Sequence, residues 1–155
     1  MPSLDAPVLD DRFGFFEVAA WWMAELDRLL ELNGLPAGTA VGPASALEGG
    51  GYLLRVSPTV AWIIAESGLR LAGQAGGVVV DLSSSRVRLR LRGAWPAIFP
   101  RLAPVDCTSL DPRFAATLIH TIPVIILKAG DGFDLYVVRS LAESLVDWLM
   151  EGAQV

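Results

Sequence analysis

The 155-residue chain contains a single cysteine, Cys107, a single histidine, His120, and a single lysine, Lys128, beside eleven arginines. One thiol excludes an internal disulfide framework and any multi-cysteine zinc or iron–sulfur site. One imidazole excludes a multi-histidine metal centre. No G-x-S-x-G elbow is present, and no Walker lysine follows a glycine loop. No run of about 20 apolar residues is free of charge: Phe13–Leu32 carries Glu17, Glu25, Asp27, Arg28 and Glu31, so no spanning helix is expected. The N-terminus has neither a basic region nor an apolar stretch of the secretory kind, and a cytoplasmic location is expected.

Charge is scarce as well. Charged residues make up 19% and hydrophobic ones 53%, with mean hydropathy +0.49. Average globular domains hold about 25% charge. With no membrane segment to account for it, this apolar excess implies surface to bury against a partner protein. The isolated chain is expected to be poorly soluble or to self-associate. Residues 1–50 hold eight acids against two arginines, while the rest holds ten bases against nine acids. A nucleic-acid binder shows a broader basic excess, so no such partner is expected.

Along the chain, Phe13–Leu32 reads as one helix: Phe15, Val18, Trp22, Leu26, Leu29 and Leu30 recur mostly at steps of three or four, and Asn33-Gly34 stops it. Phe16, Trp21 and Met23 make it apolar on more than one face, which suits either core burial or a docking helix. Leu35–Gly51 reads as a linker. Tyr52–Val56 and Val60–Ile64 are strands divided by Ser57-Pro58, and Val78–Leu82 is a third; Glu66–Gly77 fits a short helix or a loop. Arg86–Arg92 alternates strictly, and Ala94–Leu102 is a short helix. Ala115–Ile119 is a strand. Val124–Leu127 and Phe133–Val138 form a hairpin about Gly130-Asp131-Gly132. Ser140 and Glu143 are spaced as a capping box for a last helix. This order fits an α+β fold with a mixed or antiparallel sheet and flanking helices.

Chemistry-bearing groups are few. The clusters at Gly49–Gly51 and Gly73–Gly77 stand before strands, whereas a phosphate loop follows a strand and opens a helix. They read as loop glycines. Cys107 and His120, with Asp106 as a third member, could form a nucleophilic set, but a packed thiol and a hydrogen-bonded strand-end histidine explain them better. Asp81 is read as a turn former beside Ser83-Ser84-Ser85. No catalytic, cofactor-binding or metal-ligating residue is assigned. The row Arg86, Arg88, Arg90 and Arg92 is the most unusual feature. Its period of two aims all four at one sheet face, where acids of a partner, acids of residues 1–50, or solvent must answer them. These four arginines, with Trp21 and Trp22, are the candidate partner interface.

Several elements recur in one order. Leu54-Arg55-Val56-Ser57-Pro58 precedes Trp62-Ile63-Ile64; Val80-Asp81-Leu82-Ser83 leads to Arg86-Val87-x-Leu89-x-Leu91-x-Gly93. Asp111-Pro112-x-Phe114 follows, and Phe133-Asp134-Leu135-Tyr136-Val137-Val138-Arg139-Ser140 leads to Trp148-Leu149. From Tyr52 onward the chain resembles the gamma subunit of heterotetrameric sarcosine oxidase and the related N-methyl-amino-acid dehydrogenases. Ser57 departs from the family's glycine before the proline. The resemblance implies a reduced form of the folate-binding T-protein (aminomethyltransferase) fold over residues 52–155, preceded by a helical and linker segment over 1–51. It also implies a structural subunit beside alpha-, beta- and delta-type partners, with FAD, FMN, NAD and zinc on those partners. The alternative is a stand-alone small folate-type ligand-binding or aminomethyl-transfer protein.

Overall fold

The computed structural model describes residues 4–66, 68–73 and 76–155. These fall into two compact units, one spanning Arg12–Ser84 and the other residues 4–11 with Ser85–Val155. The boundary expected between residues 51 and 52 lies within the Arg12–Ser84 unit, at the start of a strand.

The Arg12–Ser84 unit holds β2 (Gly14–Ala20), α1 (Met23–Leu32), β3 (Ala44–Ala46), β4 (Gly51–Ser57), β5 (Val60–Ala65) and β6 (Gly77–Asp81). Its antiparallel sheet has the order β3-β4-β5-β2-β6. The helix expected over Phe13–Leu32 is a correction: its first half is β2 and only its second half is helical. β2 is an interior strand, paired with β5 on one side and β6 on the other. Phe15, Phe16 and Val18 are all buried, so both faces are apolar. A strand buried on two faces lacks alternation and mimics an all-round apolar helix. Leu26, Leu29 and Leu30 of α1 then pack on Phe16, Val18, Leu53 and Ile63.

The expected linker contains the short β3, and 66–77 shows no helix among its described residues. That stretch is tied down by Asn33, whose side chain donates to the carbonyl of Ala72 (3.1 Å) and accepts from its amide (2.9 Å). Gly51 opens β4 at φ 102, and a Cβ there would sit 1.9 Å from the Ile64 carbonyl oxygen, so only glycine fits.

The second unit holds β1 (Val8–Asp10), β7 (Arg86–Leu91), α2 (Trp95–Leu102), β8 (Ala115–Ile119), β9 (Ile122–Ala129), β10 (Gly132–Val138) and α3 (Ala142–Ala153). Its sheet is also antiparallel, in the order β1-β7-β10-β9-β8. Leu89, Leu91, Phe133 and Leu135 form a core with Trp95 and Phe99 of α2 and Leu145 and Leu149 of α3. The strands divided by Ser57-Pro58, which pair as a hairpin, the hairpin at Gly130-Asp131 and the strand of arginines stand where the sequence placed them. The capping box is a second correction. A 3-10 turn over Arg139–Leu141 leads into α3, the N-cap is Leu141, and no side chain caps the helix. No described helix is long and apolar enough to cross a membrane.

Candidate functional site

The arginine strand β7 lies between β1 and β10, and its alternation sends Val87, Leu89 and Leu91 to the helix-covered core. On the other face, Asp10 of β1 stands directly opposite Arg88. Arg88 Nη2 donates to Asp10 Oδ2 at 2.5 Å, and Arg90 Nη2 lies 3.3 Å from the same oxygen. Arg88 Nη1 reaches the Tyr136 hydroxyl at 3.4 Å, and the guanidinium sits 5.9 Å from that ring's centre. Arg92 donates to Asp134 Oδ1 (2.8 Å) and to the Phe133 carbonyl (2.9 Å), while Arg86 donates to Ser85 Oγ (2.8 Å). The row is therefore answered within the chain, by Asp10 of the acidic N-terminal segment and by Asp134. Arg88 is a correction as a docking residue, because only 1% of it is exposed. Arg86, Arg90 and Arg92 remain half-exposed.

Trp21 and Trp22 lie in the turn between β2 and α1 rather than along a helix face, and Trp22 is the N-cap of α1. They are 82% and 69% exposed, and Met23 beside them is 59% exposed. Trp21 borders a shallow opening of about 430 Å³ with Ala19, Gly76, Gly77 and Val78. Three large apolar side chains in a row facing water are costly unless something covers them.

The residues weighed as a nucleophilic set do not assemble. Asp106 is occupied by its own turn, accepting from Thr108 N (3.0 Å) and Thr108 Oγ1 (2.7 Å). The Thr108 side-chain bond leads in holding its carboxyl below the usual range. Burial pushes the Cys107 thiol up, the Asp106 charge adds to that, and Lys128 opposes it weakly. Such a thiol is a poor nucleophile. His120 is exposed rather than buried, at φ 57 in the β8–β9 turn, with its ring stacked on Trp148 at 6.3 Å and 20°. Asp81 forms the expected turn: it accepts from Ser83 N at 2.9 Å, and Ser83 hydrogen bonds hold its carboxyl below the usual range. Among the described residues no three His, Cys, Asp or Glu side chains gather as a metal ion needs.

The unit of residues 4–11 and 85–155 also has a cleft of about 870 Å³, bordered by Leu4, Arg92, Trp95, Ile98, Arg101 and Met150. The Trp95 indole N–H donates to the Asp5 carbonyl at 2.9 Å, and both residues border the cleft. Sequence reasoning offered the acids of residues 1–50 as one answer to the arginine row without singling out Asp10, and it did not point to Asp134 or Asp27. The signal for Asp27 was its partner: Arg55 stands inside the apolar run Leu53-Leu54-Arg55-Val56, where a lone guanidinium must be buried and paired. Arg55 Nη1 meets Asp27 Oδ1 at 2.5 Å, and Nη2 donates to the Pro58 carbonyl at 2.7 Å.

Solved structures with a similar fold include two enzymes, and the likeness to each is one of fold. One is a heterotetrameric sarcosine oxidase from Corynebacterium sp. U-96 in complex with pyrrole 2-carboxylate. It matches with a TM-score of 0.77 at 22% identity, over 97% of this chain and 86% of that one. The other is the glycine cleavage system aminomethyltransferase T from Bartonella henselae, with a TM-score of 0.66 at 16% identity, over 96% of this chain and 46% of that one. The chain has their fold. The α+β, aminomethyltransferase-like architecture expected from the resemblance is thus borne out, with two antiparallel sheets and flanking helices. The chain spans about half the length of the aminomethyltransferase. No protein-family model and no curated protein matches the sequence.

Proposed function

We propose that this chain is a non-catalytic structural subunit of a heterotetrameric, flavin-dependent sarcosine oxidase or related N-methyl-amino-acid dehydrogenase. In this reading it supports the large folate- and NAD-binding subunit. The observation that carries the reading is the near end-to-end match, 97% of this chain on 86% of a chain from such a heterotetramer. Alpha-, beta- and delta-type subunits are the partners, and FAD, FMN, NAD and zinc reside on them. The complex works in the cytoplasm, away from membranes and nucleic acid. Trp21 and Trp22, with the exposed parts of Arg86, Arg90 and Arg92, are the contact points. Arg88 takes no part, being buried in the chain's own ion pair.

Trp21→Ser with Trp22→Ser tests the contact. Buried aromatic anchors dominate interface energies, so the double variant should lose affinity for its partner subunits by at least about tenfold. Its own unfolding midpoint should stay unchanged, since both side chains face solvent. Unchanged retention on size-exclusion chromatography would remove the tryptophans from the interface. In the assembled enzyme, Cys107→Ser with His120→Ala should leave turnover within about twofold of the parent. A collapse of the chemical step in an intact complex would contradict a non-catalytic chain.

A second reading, a stand-alone folate-type ligand-binding or aminomethyl-transfer protein, takes support from the 870 Å³ cleft, where Trp95 lies beside Arg92 and Arg101. Two guanidiniums suit a ligand bearing carboxylates, while Trp95 itself is buried in the core. Calorimetry of the isolated chain with tetrahydrofolate decides it: saturable binding favours this reading, and none favours the subunit.

A further inference from the structure

An open sheet edge offers a row of unpaired amides and carbonyls, and folded proteins guard such edges with charge, proline, shortness or a covering segment. Three of the four edges here are guarded. β1 is three residues long, follows Pro7 and carries Asp10. β3 is three residues long and follows Pro43. Against the edge of β6 lies Gly73, whose Cβ position would be 3.8 Å from Val79 N and 3.9 Å from Gly77 O. β8 has no guard. It reads Ala-Ala-Thr-Leu-Ile, five residues with no charge, proline or glycine, at the margin of its sheet.

The phase of its hydrogen bonds follows from the hairpin. His120-Thr121 is a two-residue loop between the paired Ile119 and Ile122, which makes that pair the bonded closing pair. Bonding alternates in an antiparallel ladder, so Thr117–Val124 and Ala115–Ile126 are bonded as well. Leu118 faces Pro123, a residue with no N–H, at a non-bonded position. The amides and carbonyls of Ala116 and Leu118 therefore point away from β9. Both residues are exposed, Leu118 by 54%, and among the described residues β8 pairs with β9 alone.

We infer that β8 is a pairing edge for the β8 of a second copy of this chain, joining the two five-stranded sheets antiparallel about a two-fold axis at Thr117. That axis sets Ala116 opposite Leu118 of the other copy in both directions, so four outward groups on each strand bond in matched pairs. It sets Thr117 against Thr117, a favourable cross-strand pair. Arg113 falls opposite Thr121, so no charge meets a like charge. A small residue faces a large one at each bonded pair. The contact is confined to one strand per copy and is smaller than a standard stable interface, so the dimer is weak and depends on concentration. This gives the expected self-association a definite seat that uses neither Trp21 nor Trp22.

Sedimentation velocity of the isolated full chain over a concentration series tests it, with Ala116→Pro and Leu118→Lys compared with the Trp21→Ser/Trp22→Ser variant. Ala116→Pro removes only an amide that points outward and leaves the ladder with β9 intact; Leu118→Lys adds a charge to the edge. The parent and the tryptophan variant should rise toward the dimer mass together, whereas both edge variants should remain monomeric with the parent's circular dichroism. If an edge variant loses its fold, the other decides. A parent monomeric at every concentration, edge variants that dimerise like the parent, or dimerisation abolished by the tryptophan changes would each overturn the assignment. The subunit reading is measured separately, by partner retention, and can stand or fall without this edge.

Discussion

Asp10→Ala should destabilise the chain by about 3–5 kcal/mol, the usual cost of leaving a buried charge without its counter-ion. Arg88 is 1% exposed, and its strongest contact is the 2.5 Å bond to Asp10. Without that carboxylate its charge still meets the Tyr136 hydroxyl and ring face, beside Arg90, a like charge. Marginal stability of about 5–15 kcal/mol makes such a loss visible in urea unfolding. Arg88→Met added to Asp10→Ala should recover much of it, because the orphaned charge is then gone and an unbranched side chain fills its place. A double-mutant cycle gives the coupling directly. Coupling near zero would mean that the pair is solvated and that Arg88 is free for docking after all. Arg88→Glu belongs to the same argument: placed against Asp10 it should unfold the unit rather than merely weaken an assembly.

The second large effect concerns Asp27→Ala, expected to cost about 3 kcal/mol. Arg55 is 2% exposed and would keep only carbonyl partners, Pro58 O at 2.7 Å and Thr39 O at 3.4 Å. The Gly38 amide would also lose the carboxylate oxygen it donates to at 2.9 Å, freeing the loop that leads into β3. The pair gives a pH signature. Burial raises the Asp27 carboxyl, but the Arg55 hydrogen bond, the Gly38 amide and the Arg55 charge together outweigh it, so its pKa lies below the usual carboxylate value. A carboxyl depressed in the folded state stabilises fully above its unfolded pKa, near 3.9, and that contribution is lost as pH falls through the folded value. Acid unfolding of the parent should thus be steeper below about pH 4 than that of Asp27→Ala. Parallel acid limbs would show that Asp27 contributes nothing through its charge.

Local patterns were readable from the residues and distant partners were not. The hairpins at Ser57-Pro58 and Gly130-Asp131 join neighbours in the chain, so turn chemistry and short alternating runs suffice to mark them. The arginine row was legible as one face of a strand because its period is two. Its acid was not, since Asp10 lies 78 residues from Arg88 and only the β1–β7 ladder brings them together. β2 defeated periodicity for the reason that makes it structurally central: burial on both faces erases alternation, and Phe15 and Val18 fall three apart by coincidence. The Ser140–Glu143 spacing had the form of a capping box, but the 3-10 turn moved the helix start past Ser140. The overall architecture came from the ordered elements of the resemblance, which no single motif carried.

The subunit reading is tested most directly by producing the tagged chain together with the proteins encoded by its neighbouring genes and weighing what co-elutes. The account predicts one discrete complex, with this chain in equal number to a flavoprotein chain, flavin absorbance following the complex through the column, and oxidation of an N-methyl amino acid by that fraction. A chain that elutes alone, free of flavoprotein, and instead binds tetrahydrofolate saturably would contradict it.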